Sequence, residues 1–341
     1  MKAQNKLLLI GASLLALPVT IFAQAGGDPT TPPAGVPGPV MKTLDQVEAR
    51  IPLVDGAPGV TEESNGGFTI SQSGSYYMVG DLSVASGNGI DITASHVTLD
   101  MNGFTLSRIS GSASGSGINI DTDVSGARTD SVHIENGHIF SKYTLSGATL
   151  IGEGFAKGIT FQGDGLSISR VSVTGCSQIG IELGVFGFTG STGNLITDCK
   201  LNANQVGIFA TNANARSIVQ NCTVINSIGT AIGVDHVKNS VGVSINSIGI
   251  FALTVTDSEG ASEGDGKGID ATRLVVNSSG SSSGTGTGIE SRMVVGSYGF
   301  SVDGKGIEAD MVVNSYGRTT NGSDGVDAPA SATFQTVSEE P

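Results

Sequence analysis

Basic residues are scarce in this sequence. Seventeen Lys and Arg face 31 Asp and Glu, for a formal charge of −14. A chain so acidic is repelled by phosphate backbones, which argues against nucleic acid as a partner. Tryptophan is absent, and aromatic residues make up only 5% of the chain, while glycine reaches 51 residues. The apolar content is spent on Ile, Val and Leu in short runs, a composition that suits thin coils with tight corners better than a thick globular core. Long apolar runs are missing after the first 25 residues, so no membrane span is expected in the rest of the chain.

The N-terminus is the exception. Lys2 and Lys6 precede the apolar stretch Leu7 to Leu17, and Ala23-Gln24-Ala25 follows as a small-x-small site. That order reads as a secretory signal peptide over 1–25. The rival reading, a membrane anchor, needs a longer run to cross a hydrocarbon core of ~30 Å. No cysteine stands directly after the cleavage site, which argues against a lipoprotein anchor. Removing residues 1–25 takes two lysines and leaves 15 basic against 31 acidic residues, a net −16. The expected location is secreted, periplasmic or extracellular.

What the chain has in abundance is a repeat. Gly268-Ile269-Asp270, Gly288-Ile289-Glu290, Gly306-Ile307-Glu308 and Gly325-Val326-Asp327 recur at intervals of 20, 18 and 19 residues. A second phrase keeps step: Leu274-Val275-Val276-Asn277-Ser278, Met293-Val294-Val295-Gly296-Ser297 and Met311-Val312-Val313-Asn314-Ser315. A third is Ser279-Gly280, Tyr298-Gly299 and Tyr316-Gly317. A fixed period near 19 with Gly-rich spacers is the signature of a solenoid in which each repeat is one coil. Looser copies run back through Gly249-Ile250, Ala231-Ile232, Gly207-Ile208, Gly180-Ile181, Gly158-Ile159 and Gly117-Ile118 to Gly89-Ile90. Companion strands such as Val97-Thr98-Leu99, Leu166-Ser167-Ile168 and Leu195-Ile196-Thr197 alternate with period 2, placing one apolar set inward. Glycine before each Ile is expected to supply a corner.

The expected architecture is all-β, a right-handed parallel β-helix of about eleven coils, one of them hidden in the 41-residue interval from Ile118 to Ile159. Stacked at ~4.8 Å per coil, it would extend on the order of 50 Å. A left-handed helix of hexapeptides is disfavoured, because the coils vary in length and no apolar position recurs every six residues. Residues 26–41 form a Pro/Gly-rich linker. Residues 42–85 hold a cap, with a short helix over Thr43–Arg50, and opening strands at Phe68–Ile70 and Tyr76–Val79. The β-helix occupies 86–327, and 328–341 is a tail.

Val97-Thr98-Leu99-Asp100-Met101-Asn102-Gly103-Phe104-Thr105-Leu106, after Ser73-Gly74-Ser75-Tyr76-Tyr77, resembles the opening of secreted bacterial right-handed β-helix proteins of the pectate-lyase-like superfold. The lead-in Met41-Lys42-Thr43-Leu44-Asp45 and the Ser-Tyr-Gly coils resemble a Verrucomicrobia-type subgroup whose coils often read Asn-Cys-Tyr-Gly. Here Ser297 and Ser315 stand where that cysteine would. The resemblance covers roughly residues 41–327. It implies the fold, and it implies no particular activity, since the subgroup has none assigned.

Enzymes of this superfold provide templates to test. The polygalacturonase type requires clustered Asp with Gly-His-Gly and Arg-x-Lys, and the chain has no Asp-Asp pair. His138 lies in Asn136-Gly137-His138-Ile139, a turn into a strand. The lyase type requires Ca²⁺-holding carboxylates beside a basic residue, for which Asp198 with Lys200 or Asp235 with Lys238 are the available pairs. Ordinary outward charge explains both pairs more simply.

Asp121-Thr122-Asp123-Val124-Ser125-Gly126 matches the first half of a Ca²⁺ loop. The twelfth position is Val132 where a bidentate Glu belongs, leaving Asp130 as the substitute. Ca²⁺ at Asp121, Asp123 and Asp130 therefore stands beside the plainer reading of an Asx-rich loop. Asp270, Glu290, Glu308 and Asp327 form an acidic column, read as a solvated face or, alternatively, a cation site. Repulsion between such neighbours is ~1 kcal/mol in water and ~3.5 kcal/mol at an effective dielectric of 20. Tyr298 and Tyr316 are expected to stack, as a structural pair or as a sugar platform. Cys199 and Cys222 fall in one column and Cys176 in another, with no metal or nucleophile spacing.

The function expected is a non-catalytic scaffold that binds polysaccharide or other envelope components. The alternative is a polysaccharide lyase or hydrolase whose residues depart from the recognised motifs.

Overall fold

The computed structural model describes residues 50–121, 128–184, 192–210, 216–321, 324–328, 333–334 and 337–339. All lie in one compact unit, Glu48–Pro341. The expected signal peptide, the linker, the cap helix before Arg50, and Asp123 fall outside the described residues. Among those described there is no helix, and so none long and apolar enough to cross a membrane. Short strands dominate, and 32 of them belong to one hydrogen-bonded sheet with mostly parallel pairing, an arrangement compatible with a β-helix solenoid.

That sheet resolves into three parallel ladders. The first strings the Gly-Ile phrases together in register. Phe68 pairs with Ile90, then Ile118, Ile159, Ile181, Ile208 and Ile232 follow, and Ile250, Ile269, Ile289, Ile307 and Val326 complete it. Every Ile of this column from Ile90 to Ile307 is fully buried. Burial of each contributes about 1.5–3 kcal/mol. The second ladder runs through Tyr76, Leu99, Ile134, Ile168, Ile196 and Val219, then Val237, Val255, Val275, Val294 and Val312. The third passes Leu106, Ile139, Val173, Leu201 and Val224, and then changes character, to Gly242, Gly260, Gly280, Gly299 and Gly317. Between Pro58 and Pro329 there is no proline, so no ladder position within this span lacks its N–H.

Three expectations are corrected. No coil is hidden before Ile159, because Ile118 pairs with it directly. The extra residues of that interval include an antiparallel hairpin, Thr144–Ser146 with Thr149–Ile151. The segment read as a tail carries Thr333–Phe334 and Val337–Glu339, which extend the second and third ladders. The glycine before Ile does not serve by left-handed backbone, since Gly158, Gly268, Gly288 and Gly306 are all outside that region.

Its role is clearance. In the first half a Cβ on Gly158 would meet Val173 Cγ1 at 2.4 Å, and one on Gly180 would meet Leu201 Cδ2 at 2.5 Å. The missing side chain thus makes room for the aliphatic residue of the third ladder. In the second half the third ladder is itself glycine, and the two backbones meet. A Cβ on Gly280 would lie 2.2 Å from the Gly288 carbonyl, and one on Gly288 would lie 2.5 Å from the Phe300 nitrogen. Backbone has replaced side chain as the filler, which is why late coils close in 18–20 residues. The Gly-Ile and Tyr-Gly phrases are two sides of one close approach.

The second and third ladders meet at a corner of a single left-handed residue. Asn136, Arg170, Asp198, Asn221, Asn239, Asp257, Asn277, Gly296 and Asn314 occupy it, with φ between 46° and 58°. Asn, Asp and Gly accept this conformation most readily. Arg170 is the exception, and its guanidinium holds Asn136 Oδ1 at 2.6 Å one coil back.

The next position points inward and carries Cys199, Cys222, Ser240, Ser258, Ser278, Ser297 and Ser315. Each Ser Oγ donates to the carbonyl two residues earlier, at 2.7–2.8 Å. It also accepts the N–H of its counterpart one coil earlier, at 3.1–3.2 Å. Cys199 and Cys222 donate to Thr197 and Gln220 in the same way, each at 3.2 Å. The hydroxyl satisfies one backbone donor and one backbone acceptor in the buried interior.

Two outcomes follow from this packing. Gly299→Ala is expected to lower unfolding free energy by about 1–3 kcal/mol through overpacking, whereas Gly80→Ala, whose Cβ meets nothing within 4 Å, leaves it unchanged in urea denaturation. Ser278→Ala strands the Ser258 N–H at a cost of about 1–3 kcal/mol. Ser278→Cys, which repeats the arrangement of Cys222, is expected to lose less by the same measurement.

Candidate functional site

The acidic column forms as read, on the outer side of the first ladder. Asp270, Glu290, Glu308 and Asp327 pair in register. It is not left as bare repulsion. Lys267 Nζ lies 2.8 Å from Asp270 Oδ2 and 2.7 Å from Glu290 Oε2, bridging two coils. Lys305 Nζ likewise joins Glu308 Oε1, at 2.8 Å, to Asp327. Burial works to lower the Lys267 pKa, but its bonds to Asp270 and Glu290 raise it overall. Bonds to Asp327 and Glu308 raise that of Lys305. Lys157 makes the same reach to Glu182 Oε2, 2.6 Å away on the next coil. A lysine directly before Gly-Ile is therefore a clamp between coils.

Other sequence candidates scatter. Asp121 and Asp130 are not brought into a metal cluster, and among the described residues no group of three metal-ligating side chains converges. Asp130 lies beside Asp164 on a neighbouring strand and accepts the Asp164 N–H at 3.3 Å. Asp198 sits in the left-handed corner and accepts Asn221 Nδ2 at 3.1 Å. Lys200 belongs to the third ladder. Asp235 is buried and accepts the Ser217 N–H at 3.0 Å, a structural cap, while Lys238 is exposed. His138 is exposed on the third ladder, with Nδ1 2.7 Å from Ser172 Oγ.

The thiols are core residues. Cys199 lies opposite Cys222, because Thr197 pairs with Gln220 and Lys200 with Thr223. Cys176 is elsewhere, its N–H donated to Asn204 Oδ1 at 2.9 Å. Burial pushes the Cys176 thiol up to about 12. Contact with Cys222 and then burial raise Cys199 as well.

A concave feature of the outer surface lies along the corner between the second and third ladders. It is a groove of about 700 Å³ whose lining includes Asn239, Asp257, Glu259, Asn277, Tyr298 and Tyr316. The left-handed residues form one wall. Asn239 Nδ2 donates to Asn221 Oδ1 at 2.8 Å, and Asn277 Nδ2 to Asp257 Oδ1 at 3.4 Å. Outward residues of the third ladder form the other wall, where Glu259, Ser279, Tyr298 and Tyr316 stand on successive coils. The two tyrosine rings stack at 5.5 Å with 9° between their planes. The stack is the one read from the sequence. The asparagine wall was missed there, although an Asn or Asp directly before every inward Cys or Ser of this column except Ser297 marks it.

No family model matches the chain, and no curated protein matches it.

Two outcomes test this account of the surface. Thr287 stands where Lys267 and Lys305 stand, so Thr287→Lys is expected to bridge Glu290 and Glu308 and to stabilise by about 0.2–1 kcal/mol at low salt. That gain should vanish near 1 M salt, where charges are screened within ~3 Å. The three thiols should resist a maleimide probe in the native protein and react fully in denaturant. Rapid labelling of any of them in the native state would contradict their burial.

Proposed function

We propose that this protein is a secreted, non-catalytic scaffold of the bacterial envelope or exterior that binds glycan chains along an outer groove. The body is a right-handed parallel β-helix of about eleven coils, related to the pectate-lyase-like superfold. Twelve in-register rungs from Phe68 to Val326 support that coil count.

The observation that carries the function is the corner groove. Stacked Tyr298 and Tyr316 stand in it beside the side-chain amides of Asn239, Asn277 and Asn314 and the carboxylates of Asp257 and Glu259. Aromatic faces pack against the C–H faces of sugar rings, and amides and carboxylates bond their hydroxyls, the mixture expected of a carbohydrate surface. The lysines support the scaffold reading from another side. Lys157, Lys267 and Lys305 are tied to carboxylates between coils, so their ammonium groups serve stacking.

A glycan array probed with the purified protein tests the proposal, run beside an assay for unsaturated products from pectate and alginate with Ca²⁺. Binding to a glycan class without product is expected. Steady Ca²⁺-dependent turnover would overturn the reading in favour of a polysaccharide lyase.

A further inference from the structure

We propose that the open face of Tyr298 is a subsite for one pyranose ring of a neutral polysaccharide, an assignment that rests on the glycan-binding reading above. Glu259, Ser279, Tyr298 and Tyr316 follow one another along the third ladder. One face of the Tyr298 ring is covered by Tyr316, 5.5 Å away and nearly parallel. Its opposite face is turned toward the coil of Ser279, the smallest side chain of the four. Tyr298 is 38% exposed.

Two rungs at ~4.8 Å separate Glu259 from Tyr298, about 9.6 Å in all. A ring packed on Tyr298 at a van der Waals distance of about 3.5–4 Å fills the level left empty by Ser279. A third ring in the stack is the natural occupant, and the chain does not provide it.

The chemistry of the walls selects a sugar. Asn277 borders the slot on the corner side, with Gly296 next to it contributing no side chain, so the Asn277 amide has space over the Tyr298 level. A Cβ at Gly296 would in fact lie 2.8 Å from Asn277 Oδ1. Glu259 closes the far end and Asp257 the side. A pyranose offers a C–H face to the tyrosine and equatorial hydroxyls to these edges, whereas an aromatic ligand would leave the polar edges unmatched. Two carboxylates at the slot, on a chain of formal charge −14, disfavour a uronate. The ligand is therefore a neutral hexose or pentose polymer, held at one ring by stacking and at its flanks by hydrogen bonds.

Calorimetric titration of the purified protein with gluco-, manno- and xylo-hexaoses, and with an oligogalacturonate of equal length, tests the assignment. At least one neutral hexaose is expected to bind and the uronate to bind at least tenfold more weakly. Tyr298→Ala should weaken the neutral ligand about tenfold or more, and Tyr298→Phe should stay within about threefold. Ser279→Tyr, which fills the slot with a ring of the protein's own, should abolish binding. Far-UV circular dichroism and the urea midpoint of Ser279→Tyr and Tyr298→Phe should match the parent. Binding unchanged by Tyr298→Ala and Ser279→Tyr, or tighter binding of the uronate, overturns the subsite while leaving a glycan-binding scaffold intact. Absence of binding to any glycan overturns both.

Discussion

Parallel, in-register pairing is the constraint on which the rest of this structure depends. It sets each residue ~4.8 Å from its counterpart one coil away, so every choice of side chain is made for a column. Apolar columns are easily satisfied, and the ten isoleucines from Ile90 to Ile307 are fully buried together. Polar columns have to find partners within themselves. The inward serines do so with a hydroxyl that donates back along its own coil and accepts from the previous one. The outward carboxylates do so with lysines placed three residues before Asp270 and Glu308. The tyrosines do so by stacking.

The same constraint allows the two halves to differ. Where the third ladder carries Leu, Ile or Val, the opposing glycine accommodates a side chain. From Gly242 onward the ladder is glycine, and the space is filled by backbone and small hydroxyls. Long excursions are confined to the first half. There, Arg108 is buried at a strand end and donates to the Ser112 carbonyl at 3.0 Å and to Ser114 Oγ at 2.8 Å, fixing the Ser/Gly-rich loop that follows. The regular second half is the part that builds a straight outer wall, and the corner groove lies there.

Much of this was legible in the sequence because register turns a spatial column into a sequence period. Gly-Ile, Leu/Met-Val-Val and the Ser/Tyr-Gly pair each name a ladder. The equivalence of Cys222 with Ser278 and Ser297 is visible in the shared position before the third ladder. The function of the glycines was not legible, because nothing in a period says which backbone lies across the core. The clamp of Lys267 was not legible either, since its partner Glu290 is 23 residues away and the bridging geometry arises only on stacking. The corner column was obscured by Arg170 and Gly296, which interrupt the run of Asn and Asp. The 41-residue interval was misread for a related reason, as length alone does not distinguish a coil from a hairpin on a loop.

Register is also where the account is most exposed, because a slip of one residue in a strand reverses which side chains face the core. Determination of the crystal structure tests it most directly. The account predicts Ile269, Ile289 and Ile307 in a single buried column, with Ser279, Tyr298 and Tyr316 on successive coils of the outer wall. An electron-density map that placed any of these isoleucines in solvent, or set Tyr298 opposite a residue other than Tyr316, would contradict it.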